Sequence, residues 1–134
     1  SDPSLAVAAL GCSPKEIMLD IKTYGLLFEN LVNRDLSVYA NSIGGTLNHY
    51  RDRYNLECDN VIHFEDGRYA LVEVKLGGTK IKEGEEHLIT LKNLILENEP
   101  RIGAPAFMMI ITGTEMAYNM DSGVMVVPIG CLKN

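Results

Sequence analysis

The chain predicts an α/β fold, a mixed central β-sheet of four or five strands flanked by helices. Three observations carry the α/β part. Residues 57–75 read as two short strands joined by a tight turn. Residues 106–112, Ala-Phe-Met-Met-Ile-Ile-Thr, are a near-continuous apolar run, the signature of a strand buried on both faces. Helical spacing of apolar residues precedes the first feature and separates the two. A strand–helix–strand order implies a right-handed crossover that covers the sheet.

Taken in order, residues 4–11 are rich in Ala and Leu and end at Gly11, which can cap a helix. Ser13-Pro14-Lys15-Glu16 offers an N-cap, a proline at the first helical position and an acid at N3. Helical spacing then runs to about Tyr39 through Tyr24, Leu27, Phe28, Leu31, Val32, Asp35 and Tyr39, with Gly25 as a point where it can break. Glu29 lies at the edge of that face, on the side carrying Val32 and Leu36. A carboxylate there can snorkel to solvent or look across at the sheet.

Residues 41–45 form a loop by their turn chemistry. Residues 46–51 read as a first strand and 52–56 as a turn into the hairpin. Gly77-Gly78 breaks the chain, and 83–98 reads as an amphipathic helix with Leu88, Leu91, Leu94, Ile95 and Asn98 on one side. Pro100 and Gly103 end it. Residues 124–128 are a last, shorter strand whose Pro128 marks its end or an edge.

At 134 residues the expectation is a single domain over 1–134, large enough to bury a sizeable core. Hydrophobic residues make up 46% and mean hydropathy is near zero, which suits a water-soluble globule. No run of 18 apolar residues reads as a membrane span, and no basic-then-apolar stretch reads as a leader. Cys12, Cys58 and Cys131 are odd in number and widely spaced, so neither a disulfide framework nor a zinc site is expected, and a cytoplasmic location is. A net charge of −6 argues against a dedicated nucleic-acid binder, because such affinity comes from basic patches on phosphates. The chain opens Ser1-Asp2-Pro3, so a processed chain or a piece of a longer one is expected.

The chemistry concentrates in residues 57–75. Glu65-Asp66-Gly67 has the form of a three-residue hairpin loop with Gly67 in the left-handed position. Phe64 then pairs with Arg68, and counting back sets Asp59 opposite Glu73. Lys75 follows on the same face, since side chains alternate along a strand. A two-residue turn would instead pair Asp59 with Val74 and separate the carboxylates. Two carboxylates about 5 Å apart repel unless compensated. A divalent cation such as Mg²⁺ or Mn²⁺ compensates them, as does the Lys75 ammonium. The plainer alternative is a surface charge ladder in which Glu73 and Lys75 pair with neighbours such as Glu57. Arg51 or Arg53 could turn toward the acids and contact a phosphate, or simply end a strand. His49 and His63 have no partner at metal-ligand spacing.

Asp59, thirteen intervening residues and then Glu73-Val74-Lys75 resemble the PD-(D/E)XK nuclease superfamily. Gly25-Leu26-Leu27-Phe28-Glu29-Asn30-Leu31-Val32 is similar to the helix opening of one branch, a domain of unknown function at the C-terminus of bacterial and archaeal AAA+ type ATPases. Asp2-Pro3, Tyr50-Arg51-Asp52, Gly123-Val124 and Pro128-Ile129 extend the likeness over most of the chain.

The resemblance implies a restriction-endonuclease-like arrangement of that sheet and a metal-dependent phosphodiesterase acting on DNA, with Asp59, Glu73 and Lys75 as catalytic residues. It implies Mg²⁺ or Mn²⁺ held by Glu29, Asp59, Glu73 and the carbonyl of Val74. It also implies an N-terminal ATPase partner in the parent chain. No G-x-x-x-x-G-K-[ST] is present, so no ATP site is expected here. The alternative is a nuclease-fold module that serves recognition or regulation of the ATPase without turnover.

Overall fold

The computed structural model of the chain describes residues 32–51 and 57–132, with the backbone alone at 49–51 and 57–59. The helices expected before residue 32, including Glu29, lie outside the described residues, as do Arg53 and the turn at 52–56. What is described is a mixed α/β domain, as expected. Its sheet has six strands among the described residues, more than the four or five expected. They are β1 (Gly45–Arg51), β2 (Glu57–Phe64), β3 (Tyr69–Lys75), β4 (Phe107–Thr112), β5 (Tyr118–Asn119) and β6 (Met125–Pro128), in spatial order β1-β2-β3-β4-β6-β5.

The β2–β3 hairpin has the register that its loop dictates. Phe64 N–H donates to Arg68 O at 2.9 Å, and Gly67 N–H donates to Phe64 O at 3.1 Å, closing three loop residues. Gly67 sits at φ +91°, a region that L side chains rarely adopt. Asp66 braces the tip by accepting from the Arg68 backbone N–H and from Arg68 Nε. The Arg68 backbone N–H, then its side chain, hold the Asp66 carboxyl below the usual carboxylate value. Antiparallel pairing then runs His63–Tyr69, Ile62–Ala70, Val61–Leu71 and Asn60–Val72.

Beyond β3 the sheet turns parallel. β3 pairs with β4 and β4 with β6 in parallel, joined across the first pair by α2 (Ile81–Asn98). A parallel neighbour needs a crossover, and the helical segment between the two apolar strands supplies it. β4 is buried almost throughout, as its unbroken apolar run predicts. Pro128 is the last residue of β6, the strand end that its missing N–H favours. β5 was not expected. It pairs antiparallel with β6 through Asp121-Ser122-Gly123, a second three-residue loop with Gly123 at φ +92°.

The two sheet faces bury two separate clusters. On one, α2 sets Ile81, Leu88 and Leu91 against Val61, Leu71, Ile110 and Val126. On the other, α1, whose described part is 32–42, sets Val32, Leu36 and Ala40 against Ile62, Ala70, Val72, Met109 and Ile111. The buried stripe of α1 is therefore 32/36/40, turned slightly from the expected 32/35/39, and it leaves Asp35 at the border. α1 also persists to residue 42 rather than ending near Tyr39. Ser42 Oγ donates to Tyr39 O, so the loop contracts to Ile43-Gly44. Gly45 can then open β1 because a Cβ there would lie 2.5 Å from Ile62 Cγ2. Among the described residues, no helix is long and apolar enough to cross a membrane.

Candidate functional site

Period-2 alternation places Glu73 on the α2 face of the sheet, in line with Val61 and Leu71, and Lys75 one step further along. Both sit near the carboxyl end of β3, beside the ends of the parallel strands β4 and β6. Lys75 pairs in register with Thr112, the last residue of β4. In open α/β sheets ligands bind in the crevice beyond those carboxyl ends. The β2–β3 pairing ends at Asn60–Val72, and one more residue of the same register would set Asp59 opposite Glu73. On its other side β2 has a bulge. Asn48 pairs with Val61 but Tyr50 with Cys58, so His49 alone faces Asp59 and Asn60. Bulges often sit beside active sites, where they re-aim a side chain. The Asp59 side chain itself lies outside the described residues.

Glu73 is the unusual group. It is 2% exposed, and carboxylates are seldom buried without partners. Its Oε1 meets Nδ1 of His87, on the second turn of α2. Lys75 Nζ stands 3.7 Å from Glu83 Oε1, one helical turn before His87. Lys80 Nζ reaches the other Glu83 oxygen at 3.6 Å. Glu73 and Lys75 are thus engaged from the helix above.

The fit is metric. Two residues of strand rise about 6.6 Å and four residues of helix about 6 Å, so E-x-K on β3 and E-x-x-x-H on an overlying helix can meet as two rungs. Between the rungs lies Gly84. A Cβ there would approach Lys75 Cγ and Ile110 Cδ1 to 3.2 Å each, so glycine is what lets α2 lie this close. Neither Glu83 nor His87 was anticipated from the sequence. Their four-residue spacing opposite an E-x-K was the available signal.

A second carboxylate on α2 has another role. Glu85 is 5% exposed, accepts from Lys82 Nζ at 2.8 Å and from Ser122 Oγ at 2.6 Å, and ties the helix to the β5–β6 loop. Lys82 first, and Ser122 second, hold the Glu85 carboxyl below its ordinary value, while Glu85 raises the Lys82 ammonium above its own.

The remaining expected site residues are less joined up. Val74 pairs with Ile111, and its side chain packs on the α1 face, away from Glu73. Arg51 ends β1 opposite Glu57, with its side chain outside the described residues. Glu29 and Arg53 are outside them altogether. The described part of α1 covers the sheet face opposite Glu73, so the expected approach of its acid to the pair has no described counterpart. His63 is exposed on β2, and Cys131 is an exposed free thiol. Among the described residues, no group of three His, Cys, Asp or Glu side chains could hold a metal ion.

Residues 24–132 match a protein family described as a domain of unknown function, DUF4143. No curated protein and no solved structure matches the chain. The chain belongs to the DUF4143 family.

Proposed function

We propose that this DUF4143 domain carries a metal-dependent phosphodiester-hydrolysing site of the PD-(D/E)XK type, acting on DNA in the cytoplasm beside an AAA+ type ATPase. One observation carries the reading. The hairpin pairs as far as Asn60–Val72, so one more residue of the same register would set position 59 opposite Glu73, and Lys75 follows on the Glu73 strand face at the carboxyl ends of parallel strands.

The donor chemistry suits a hard divalent cation, since carboxylate and carbonyl oxygens are its preferred ligands. Glu73 alone is too few, so the fit depends on Asp59 joining it, with the Val74 carbonyl and Glu29 as further donors. A bound Mg²⁺ or Mn²⁺ supplies Lewis acidity toward the phosphate and a more acidic water. The chain does the rest. Glu73, buried and buttressed by α2, gives a carboxylate with little freedom to move. Lys75 is only loosely held by Glu83, so its ammonium can turn to an attacking water or to the negative charge building on phosphate. Arg51 and Arg53 are candidates for holding the backbone of the nucleic acid.

The full chain, incubated with DNA and Mg²⁺ or Mn²⁺, is expected to cleave. Asp59→Ala and Lys75→Ala should each abolish that cleavage. Activity that survives both changes would sink the reading.

A second reading has its own support. Both members of the E-x-K pair already have partners from α2, and the net charge is −6. A nuclease fold kept as a recognition or regulatory module of the ATPase would look the same. Titration calorimetry with Mn²⁺ separates the two. Binding that Asp59→Ala removes supports the enzyme, and no binding at millimolar metal supports the module.

A further inference from the structure

We propose that Lys75 and Lys80 form a binding site for a phosphate-class oxyanion, and that Glu83 stands between them as the chain's own competitor for it. The site takes from the preceding reading only that Lys75 faces phosphate, and it needs no metal.

The sequence gathers positive charge here. Residues 75–83 hold three lysines and one acid, in a chain whose net charge is −6. Lys82 is committed to Glu85 at 2.8 Å. The other two lysines share Glu83. Lys75 Nζ faces its Oε1 at 3.7 Å, and Lys80 Nζ faces its Oε2 at 3.6 Å. Both separations exceed the roughly 2.8 Å of a charge-assisted hydrogen bond. One carboxylate thus offers an oxygen to each ammonium without closing on either. A phosphate group also carries two unbridged oxygens on one central atom, so the same two cations can receive it in place of the carboxylate.

The surroundings fit an exchange of this kind. Lys75 is the anchored partner, with a side chain 22% exposed and its Cγ against the space that Gly84 leaves. Lys80 and Glu83 are 65% and 61% exposed, so both can turn without disturbing the core. Exposed ion pairs hold weakly, which makes Glu83 displaceable. Lys75 ends β3 beside Thr112 at the end of β4, on the border of the crevice beyond the parallel strands. A Cβ on Gly78 would lie 3.7 Å from Thr114 Cγ2, so the loop leading to Lys80 runs beside the loop that leaves β4. A Cβ on Gly77 would meet nothing within 4 Å, which leaves the approach to that loop open.

The test uses the full chain in a chelator, with inorganic phosphate and a short DNA oligonucleotide as probes. Affinity is read from the amide signals of residues 75–83 in ¹⁵N NMR, and folding by circular dichroism. Wild type is compared with Glu83→Gln, Lys80→Met, the double variant, and Glu97→Gln, which makes the same charge change at the far end of α2. Glu83→Gln should bind phosphate about two- to five-fold more tightly than wild type, the range that loss of a competing exposed ion pair allows. Glu97→Gln should match wild type. Lys80→Met should bind more weakly, and the gain from Glu83→Gln should vanish in its background.

A gain shared by the oligonucleotide identifies the phosphate as that of a nucleic-acid backbone. A gain confined to inorganic phosphate identifies a free or terminal phosphate. Equal gains in Glu83→Gln and Glu97→Gln would overturn the proposal, since bulk charge would then explain both. So would a gain that survives Lys80→Met, or no phosphate binding by wild type and Glu83→Gln alike. Cleavage of DNA with Mg²⁺ is assayed separately. Phosphate binding without cleavage sinks the nuclease reading and leaves this site standing, while cleavage without the Glu83 response does the reverse.

Discussion

Gly84→Ala should destabilise the protein, although alanine is the better helix former. Two opposed effects decide the sign. Replacing an interior helix glycine with alanine favours the helix by about 1 kcal/mol. Against this, the new methyl would sit 3.2 Å from Ile110 Cδ1 and from Lys75 Cγ, and 3.6 Å from Ile110 Cγ1. The lysine stem can swing aside. Ile110 cannot, because it is fully buried in the cluster that contains Leu71, Leu88 and Val126. Overpacking of this kind costs about 1–3 kcal/mol, so a net loss of about 1 kcal/mol is expected.

For a domain of this size that corresponds to a fall of about 4 °C in Tm. Urea unfolding and thermal melts measure it. Asn93→Ala, on the exposed side of the same helix, serves as the control and should gain a few tenths of a kcal/mol, roughly. If Gly84→Ala melts at or above wild type, the close approach of α2 to β3 is not what the glycine provides. The two-rung contact of Glu73 and Lys75 with the helix would lose its basis.

Two further outcomes follow from the same geometry. Lys75→Met keeps the stem against Gly84 and removes a 3.7 Å pair with an exposed Glu83, so stability should change by less than about 1 kcal/mol while DNA cleavage disappears. A loss of several kcal/mol in urea unfolding would make Lys75 a structural residue instead. Ser122→Ala removes a hydrogen bond that favours ionised Glu85, whose folded pKa is below its ordinary 4.5. Stability from a lowered carboxyl is present above the unfolded pKa and is lost as pH falls through the folded one. The deficit of Ser122→Ala should therefore be full near pH 7 and shrink in melts below the ordinary Glu85 pKa. A deficit that grows toward acid pH would contradict that assignment.

Much of the frame was legible in chain order. Gly67 two residues after Glu65 announced the three-residue hairpin, and with it the alignment of Asn60 with Val72. The unbroken apolar run announced β4, and apolar spacing announced α2 to within a few residues of its ends. β5 escaped because two exposed residues, Tyr118 and Asn119, carry no periodicity. Its signal was the loop after it, Asp121-Ser122-Gly123, which repeats the hairpin grammar of Glu65-Asp66-Gly67.

The candidate site divides along the same line. Alternation with period two puts Glu73 and Lys75 on one face by bond geometry alone, and no tertiary contact is needed to know it. Which groups would meet them depended on how far α2 slides along β3 and how it rotates about its own axis. Those two degrees of freedom belong to packing, and here they are set by the burial of Leu88 and Leu91 and by the space that Gly84 leaves. The strand thus names its own charged pair from local stereochemistry, while the pairing with Glu83 and His87 arises only when the helix is seated.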